Sequence, residues 1–311
     1  MKAVFMGTPD FSVPVLQKLV DMGLDVALVV TQPDKARGRG KKVLFPPVKE
    51  LALSLGIPVS QPERIRKDED FKAQLREIAP DVIVVVAFGQ IIPQDVLDIP
   101  RLGCINVHAS LLPKYRGAAP IQWAIIKGEK ETGVTTMMMD AGLDTGDMLL
   151  KKVVPIAEDE TGDSLHDKLS AAGAELIEKT LIGLEQGTIT PVKQDDSEAG
   201  EYARMLDKEL GHINFDQPAV VIERLVRGLN SWPSAYTYLN GKTMKIWRAK
   251  ALDRDYGGEN GRVCEITKNS MIIQTGMGAL EVLEVQLEGK KRMDAAAFMR
   301  GCKIEKGMIL G

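Results

Sequence analysis

Along the first half of the chain, short apolar runs alternate with stretches in which apolar positions recur every three or four residues. Residues 2–6 form the first run, and Pro14 then opens a helical pattern carried by Val15, Leu16, Leu19 and Val20. Proline is tolerated in a first helical turn because its missing N–H would have no partner there. Residues 26–30 predict the next strand. Residues 82–87, Val-Ile-Val-Val-Val-Ala, are a continuous run that suits a parallel strand buried on both faces. Residues 104–108 predict a further strand and residues 121–126 a helix. This rhythm predicts an α/β fold, with a Rossmann-like, mostly parallel open sheet covered by helices on both sides.

The pattern changes further on. Residues 161–184 have helical spacing, with Leu165, Leu169, Ala172, Leu176 and Ile177 on one side. Residues 187–200 are polar without a period and read as a linker. A helix is expected at 218–229, then Ser231-Trp232-Pro233. Short strands follow at 236–239, 244–247, 261–266, 271–274 and 279–285. Asn240-Gly241, Gly257-Gly258 and Asn260-Gly261 mark turns between them. About five short strands predict a smaller OB-like β-barrel domain. The expected organisation is a catalytic domain at 1–189, a linker at 190–207 and a C-terminal domain at 208–311. Trp232 and Trp247 are expected in the core of that second domain, and Cys104 is expected to be buried on its strand.

Composition adds limits. The 311 residues are 44% hydrophobic and 27% charged, which suits two globular domains. No apolar run approaches the roughly 20 residues that span a bilayer. Cys104, Cys264 and Cys302 lie far apart with no metal-ligand spacing, so a cytoplasmic protein without a metal is expected. A monomer is expected too, although cysteine spacing does not bear on that. Net charge is -3, but residues 208–311 hold 16 Lys and Arg against 12 Asp and Glu. A basic second module points to a polyanionic partner. The first strand ends in Gly7-Thr8-Pro9-Asp10 rather than GxGxxG, which argues against a nicotinamide cofactor, and no Walker A lysine motif is present.

The chemistry-bearing residues cluster at the predicted strand 104–108. Residues two apart in a strand share a face, so Asn106 and His108 project together. An amide can donate to a developing oxyanion, and an imidazole can move a proton. An acidic, glycine-punctuated loop at 139–147 can return a carboxylate to the same place. A third segment, 34–42, carries Lys35, Arg37, Arg39, Lys41 and Lys42 with two glycines, at the strand-end face of the sheet. Its cations suit phosphates.

Taken together, Asn106-Val107-His108-Ala109-Ser110-Leu111-Leu112-Pro113, Arg116-Gly117 and the later Gly142-Leu143-Asp144-Thr145-Gly146-Asp147 resemble the folate-dependent formyltransferase family. The resemblance also covers Gly7-Thr8-Pro9-Asp10-Phe11, Gln32-Pro33-Asp34, Val85-Val86-Ala87-Phe88-Gly89 and Asn230-Ser231-Trp232-Pro233. Within the family it is closest to members that formylate the amino group of initiator methionyl-tRNA. It implies three catalytic positions, Asn106, His108 and Asp144. It implies 10-formyltetrahydrofolate as a consumed cosubstrate, contacted by Ser110, Leu111, Leu112 and Pro113. Phe88, Gly89, Gln90, Ile91 and Asp140 would wall the pterin. The basic segment would meet the tRNA acceptor stem. Ser231 stands where relatives often carry proline. Two other readings are a family member acting on a small amine or on water, and a non-catalytic RNA-binding protein on the same scaffold.

Overall fold

The computed structural model describes residues 1–37 and 42–311, and the chain divides into two units that interleave along the sequence. The first comprises Met1–Gly117, Glu131–Pro155 and His166–Ala203. In chain order the elements through residue 185 are β1 (Lys2–Gly7), α1 (Val13–Asp21), β2 (Asp25–Val30), β3 (Lys35–Arg37), β4 (Lys42–Leu44), α2 (Pro47–Ser54), β5 (Val59–Ser60), α3 (Glu69–Ile78), β6 (Val82–Val86), α4 (Gln94–Leu97), β7 (Cys104–His108), α5 (Pro120–Lys127), β8 (Glu131–Met138), β9 (Met148–Pro155) and α6 (Gly162–Glu185).

Seven of the strands form one sheet in the order β5-β2-β1-β6-β7-β8-β9. The pairings from β5 to β7 are parallel, whereas β7–β8 and β8–β9 are antiparallel. All five residues of β6 are buried, as its continuous apolar run requires of a strand covered on both faces. On one face Val4, Met6, Leu28, Ile83 and Val85 pack with Phe71 and Leu75 of α3. Each fully buried side chain of this size stabilises the fold by about 1.5–3 kcal/mol. Helix α3 starts where the Asp68 side chain accepts from the Phe71 N–H at 3.0 Å. Strand order reverses between β1 and β6, and in open α/β sheets ligands bind outside the strand ends at such a point. The hydroxyl of Thr8, after β1, donates there to the carbonyl of Phe88, after β6, at 3.2 Å.

Residues 38–41 of the basic segment, its two glycines included, lie outside the described residues. Lys35–Arg37 and Lys42–Leu44 pair as an antiparallel hairpin, with Arg37 opposite Lys42.

The second unit holds Ala118–Lys130, Ile156–Leu165 and Arg204–Gly311. It contains α5, α7 (Ala219–Gly228), β10 (Ala235–Leu239), β11 (Lys242–Leu252), β12 (Val263–Ile266), β13 (Met271–Gln274), β14 (Ala279–Leu287), β15 (Met293–Asp294) and α8 (Ala295–Gly301). Helices α5 and α7 meet at Gly228, where a Cβ would lie 2.6 Å from Ile126 Cγ1. The antiparallel sheet runs β10-β11-β14-β13-β12, with β15 beside β14. Residues 308–311 link its two edges. Leu310 N–H donates to Gly261 O at 2.9 Å, and Gly311 N–H donates to Tyr238 O at 3.3 Å. The small β domain is therefore of the expected OB-like kind. The Asn230–Ser231 peptide bond is cis.

The two tryptophans correct their expected placement. Trp232 is 58% exposed. On β11, Met244 and Ile246 are buried, whereas Trp247, at a break in the register with β14, is half-buried. It lies there beneath the Arg292 guanidinium, 4.7 Å from the ring centre. Cys104 is buried as expected.

Candidate active site

Strand β7 carries Asn106 and His108 on one face, and the loop after β8 returns Asp144 to them. Asn106 Nδ2 donates to Asp144 Oδ1 at 3.4 Å, and His108 Nδ1 lies 3.6 Å from the same oxygen. The other ring nitrogen, Nε2, is 3.0 Å from the carbonyl of Tyr115. A carbonyl only accepts, so Nε2 carries the hydrogen and Nδ1 is the nitrogen turned toward the carboxylate. The imidazole is only 7% exposed. Among the described residues, Asn106 makes no other side-chain hydrogen bond, which leaves its second N–H for a ligand.

Asp144 is fixed from several directions. Its Oδ2 accepts the Gly117 N–H at 2.9 Å. Its backbone is in the left-handed region, at φ 55°, as is that of Tyr115 at 59°. Such non-glycine conformations persist where the surroundings over-determine them. The bend needs Gly146, since a Cβ there would overlap the Met138 carbonyl. Asp140 folds the loop tip on itself, accepting from Gly142 N–H at 3.0 Å and from the Thr145 hydroxyl at 2.8 Å.

The residues expected around folate divide into inward and outward groups. Ser110 is fully buried and spends its hydroxyl on the Lys114 carbonyl at 2.6 Å. Leu112 is buried too, and its N–H donates to the Thr135 hydroxyl, which itself donates to the Ser110 carbonyl. Pro113 is buried and Leu111 half-buried. Gln90 turns its amide to residues 62 and 65, so it orders that loop through backbone contacts. Phe88 is in the core. Gly89 takes φ 85°, which only glycine adopts freely. By contrast Ile91 is 70% exposed, and Leu143, beside Asp144, is 59% exposed. One exposed apolar side chain thus stands on each of the two loops expected to wall the pterin.

Cys104, at the start of β7, is no nucleophile, because burial pushes its thiol up to about 12. Among the described residues, no group of three His, Cys, Asp or Glu could hold a metal ion.

The basic hairpin stands on a polar foot. Lys49 Nζ donates to Asp34 Oδ2 at 2.6 Å and to Gln61 Oε1 at 2.7 Å, and Gln61 Nε2 donates to Asp34 Oδ1 at 2.8 Å. Lys35 is exposed. Arg39 and Lys41 lie outside the described residues.

Sequence reading missed the groups that hold Asp144. The Gly117 amide is a backbone group and leaves no side-chain signal. Gln194 sits in the stretch read as linker, yet it is 6% exposed and donates to the Asp144 and Gly146 carbonyls. A polar segment without periodicity offers no pattern that would single it out.

An amide donor, an imidazole and a carboxylate meet at one end of the sheet, a set able to stabilise an oxyanion and move a proton, as an enzyme of acyl-type transfer needs. The chain belongs to the formyl transferase family: its formyl transferase domain matches residues 1–181, and its formyl transferase C-terminal domain matches residues 205–303. The methionyl-tRNA formyltransferase of Agathobacter rectalis is 58% identical over 307 residues, covering 99% of this chain and 98% of that one. That of Lachnospira eligens is 56% identical and covers 100% of both. The N-formyltransferase of Helicobacter canadensis, solved with folinic acid and dTDP-3-aminofucose, shares the fold at 20% identity, with a TM-score of 0.68, 91% of this chain and 98% of that one covered.

Proposed function

We propose that this chain transfers the formyl group of 10-formyltetrahydrofolate to the free amino group of initiator methionyl-tRNA, as a cytoplasmic monomer. The carrying observation is the convergence of Asn106, His108 and Asp144 at one point, in a chain similar over its whole length to proteins named for that reaction. The basic hairpin and the basic balance of residues 208–311 support a polyanionic acceptor over a small amine or water.

In this reading the acceptor amine attacks the formyl carbon, the bond from that carbon to the donor nitrogen breaks, and the amine's surplus proton passes to that nitrogen. A neutral amine is accessible, since free α-amino groups titrate near about 8. The barrier lies in the charge on the formyl oxygen. Asn106 Nδ2 donates to that oxygen, and one such donor is worth about 3 kcal/mol. His108 carries the proton through Nδ1, because Nε2 is committed to the Tyr115 carbonyl. Asp144 orients the ring and the amine. Loops 88–92 and 140–144 wall the pterin, Ile91 and Leu143 supply apolar contact, and residues 110–113 shape its floor.

The test is transfer of labelled formyl from 10-formyltetrahydrofolate to charged initiator tRNA, run beside a nucleotide-linked amino sugar and a no-acceptor control. Label is expected on the methionyl amine alone. Label on the sugar, or release as formate at the same rate without acceptor, would overturn the assignment.

A further inference from the structure

The stretch 192–203 is bonded to the active-site loops along its length. Val192 and Met148 exchange both backbone hydrogen bonds at 2.8 Å, at the point where the Asp144 loop enters β9. Gln194 follows. Its Nε2 donates to Asp144 O at 2.8 Å and to Gly146 O at 2.7 Å, and its Oε1 accepts from Arg116 Nε at 3.0 Å. Arg116 also donates to Asp196 at 2.8 Å, and its carbonyl accepts the Ala203 N–H at 2.8 Å. Gly117, whose N–H holds the Asp144 carboxylate, is the residue next to Arg116. The backbone of Asp144 and the donor to its carboxylate are thus tied to one strap.

We propose that Gln194 is a positioning residue for formyl transfer, holding Asp144 against His108 and Asn106 by bonding the backbone on both sides of the loop's bend. The inference rests on the reading of Asp144 as a group of the chemistry. The Asp144 backbone is left-handed, so without the Gln194 donor its carbonyl loses the contact that selects that conformation. The half-buried Asp144 carbonyl and the buried Gly146 carbonyl would also lose that donor. A shift of about 1 Å at a reacting group costs on the order of a hundredfold in rate.

Gln194→Glu keeps the shape and the acceptor for Arg116 but presents oxygens to two carbonyls. Gln194→Met keeps the length without polarity or charge. Each is compared with wild type for kcat, for KM of both substrates and for thermal unfolding, alone and combined with Asp144→Asn. The expected result is a kcat lowered by about tenfold to a hundredfold with both KM values within about twofold. In the Asp144→Asn background the Gln194 change should add no more than about threefold, since both act on one group. Should the Glu variant unfold, the Met variant, which buries no new charge, carries the comparison. Wild-type kcat in the Gln194 variants overturns the proposal, and so does a full multiplicative loss on top of Asp144→Asn. Wild-type turnover in Asp144→Asn alone would instead overturn the role of Asp144.

Discussion

Gly117 donates its backbone N–H to Asp144 Oδ2 at 2.9 Å, joining the loop after β7 to the loop after β8. The contact leaves Asp144 Oδ1 as the oxygen that faces both Asn106 and His108. Replacing any of the trio should therefore strike the chemistry more than binding. Asn106→Ala, His108→Ala and Asp144→Ala should each lower kcat by about a hundredfold or more. Folate binding by titration should change far less. A folded His108→Ala variant with near-normal turnover would remove His108 from the mechanism.

Gly146 gives a backbone test of the same loop. A Cβ there overlaps the Met138 carbonyl, which is strand backbone and has little room to retreat. Gly146→Ala should push the loop outward and lower kcat by about tenfold or more, although it touches no reacting atom. Steady-state kinetics beside a circular-dichroism melt would decide it. Unchanged kcat would mean that the loop absorbs the methyl group elsewhere.

Asp34 carries a pH-dependent share of stability. Hydrogen bonds from Lys49 and then Gln61 hold its carboxyl below the ordinary carboxylate value. A depressed folded value means that the contribution is complete above the unfolded value of about 3.9 and fades as pH falls through the folded one. Asp34→Asn should therefore lower Tm near neutral pH, with the deficit shrinking below a pH of about 3.9. A deficit of equal size across that range would assign the loss to packing.

A prediction on the basic segment separates shape from charge. In the sequence Arg39 stands between two glycines, in the basic segment 34–42. If its planar fork grips a phosphate or a base edge, lysine cannot replace it. Arg39→Lys should impair formylation of charged tRNA while folate binding stays intact. The rate is followed against tRNA concentration for wild type, Arg39→Lys and Arg39→Ala. A lysine variant that behaves as wild type would make the basic segment a generic electrostatic patch.

What was legible in the sequence follows from periodicity. The run at 82–87 announced β6 because burial on both faces demands apolar residues throughout. Asn106 and His108 could be paired because a strand repeats every two residues. Asp144 came from the family resemblance, since nothing local ties it to β7. Strands β8 and β9 went unread: β8 mixes Thr132, Thr135 and Thr136 among its buried positions, and β9 alternates weakly. The two-sided role of Gln194 is carried by tertiary hydrogen bonds to backbone carbonyls, which leave no trace in pattern or composition.

The interleaving of the two units bears on how such a protein can be rebuilt. The chain passes between them at 117/118, 130/131, 155/156, 165/166 and 203/204. A cut near the boundary of the two family domains separates the linear text but leaves residues 118–130 and 156–165 behind with the catalytic half. Those pieces include α5, whose glycine contact with α7 then has no counterpart. A cassette exchange that replaces the second unit must transplant the two inserts together with the C-terminal sequence. Chimeras joined at a single point would inherit a mismatched seam.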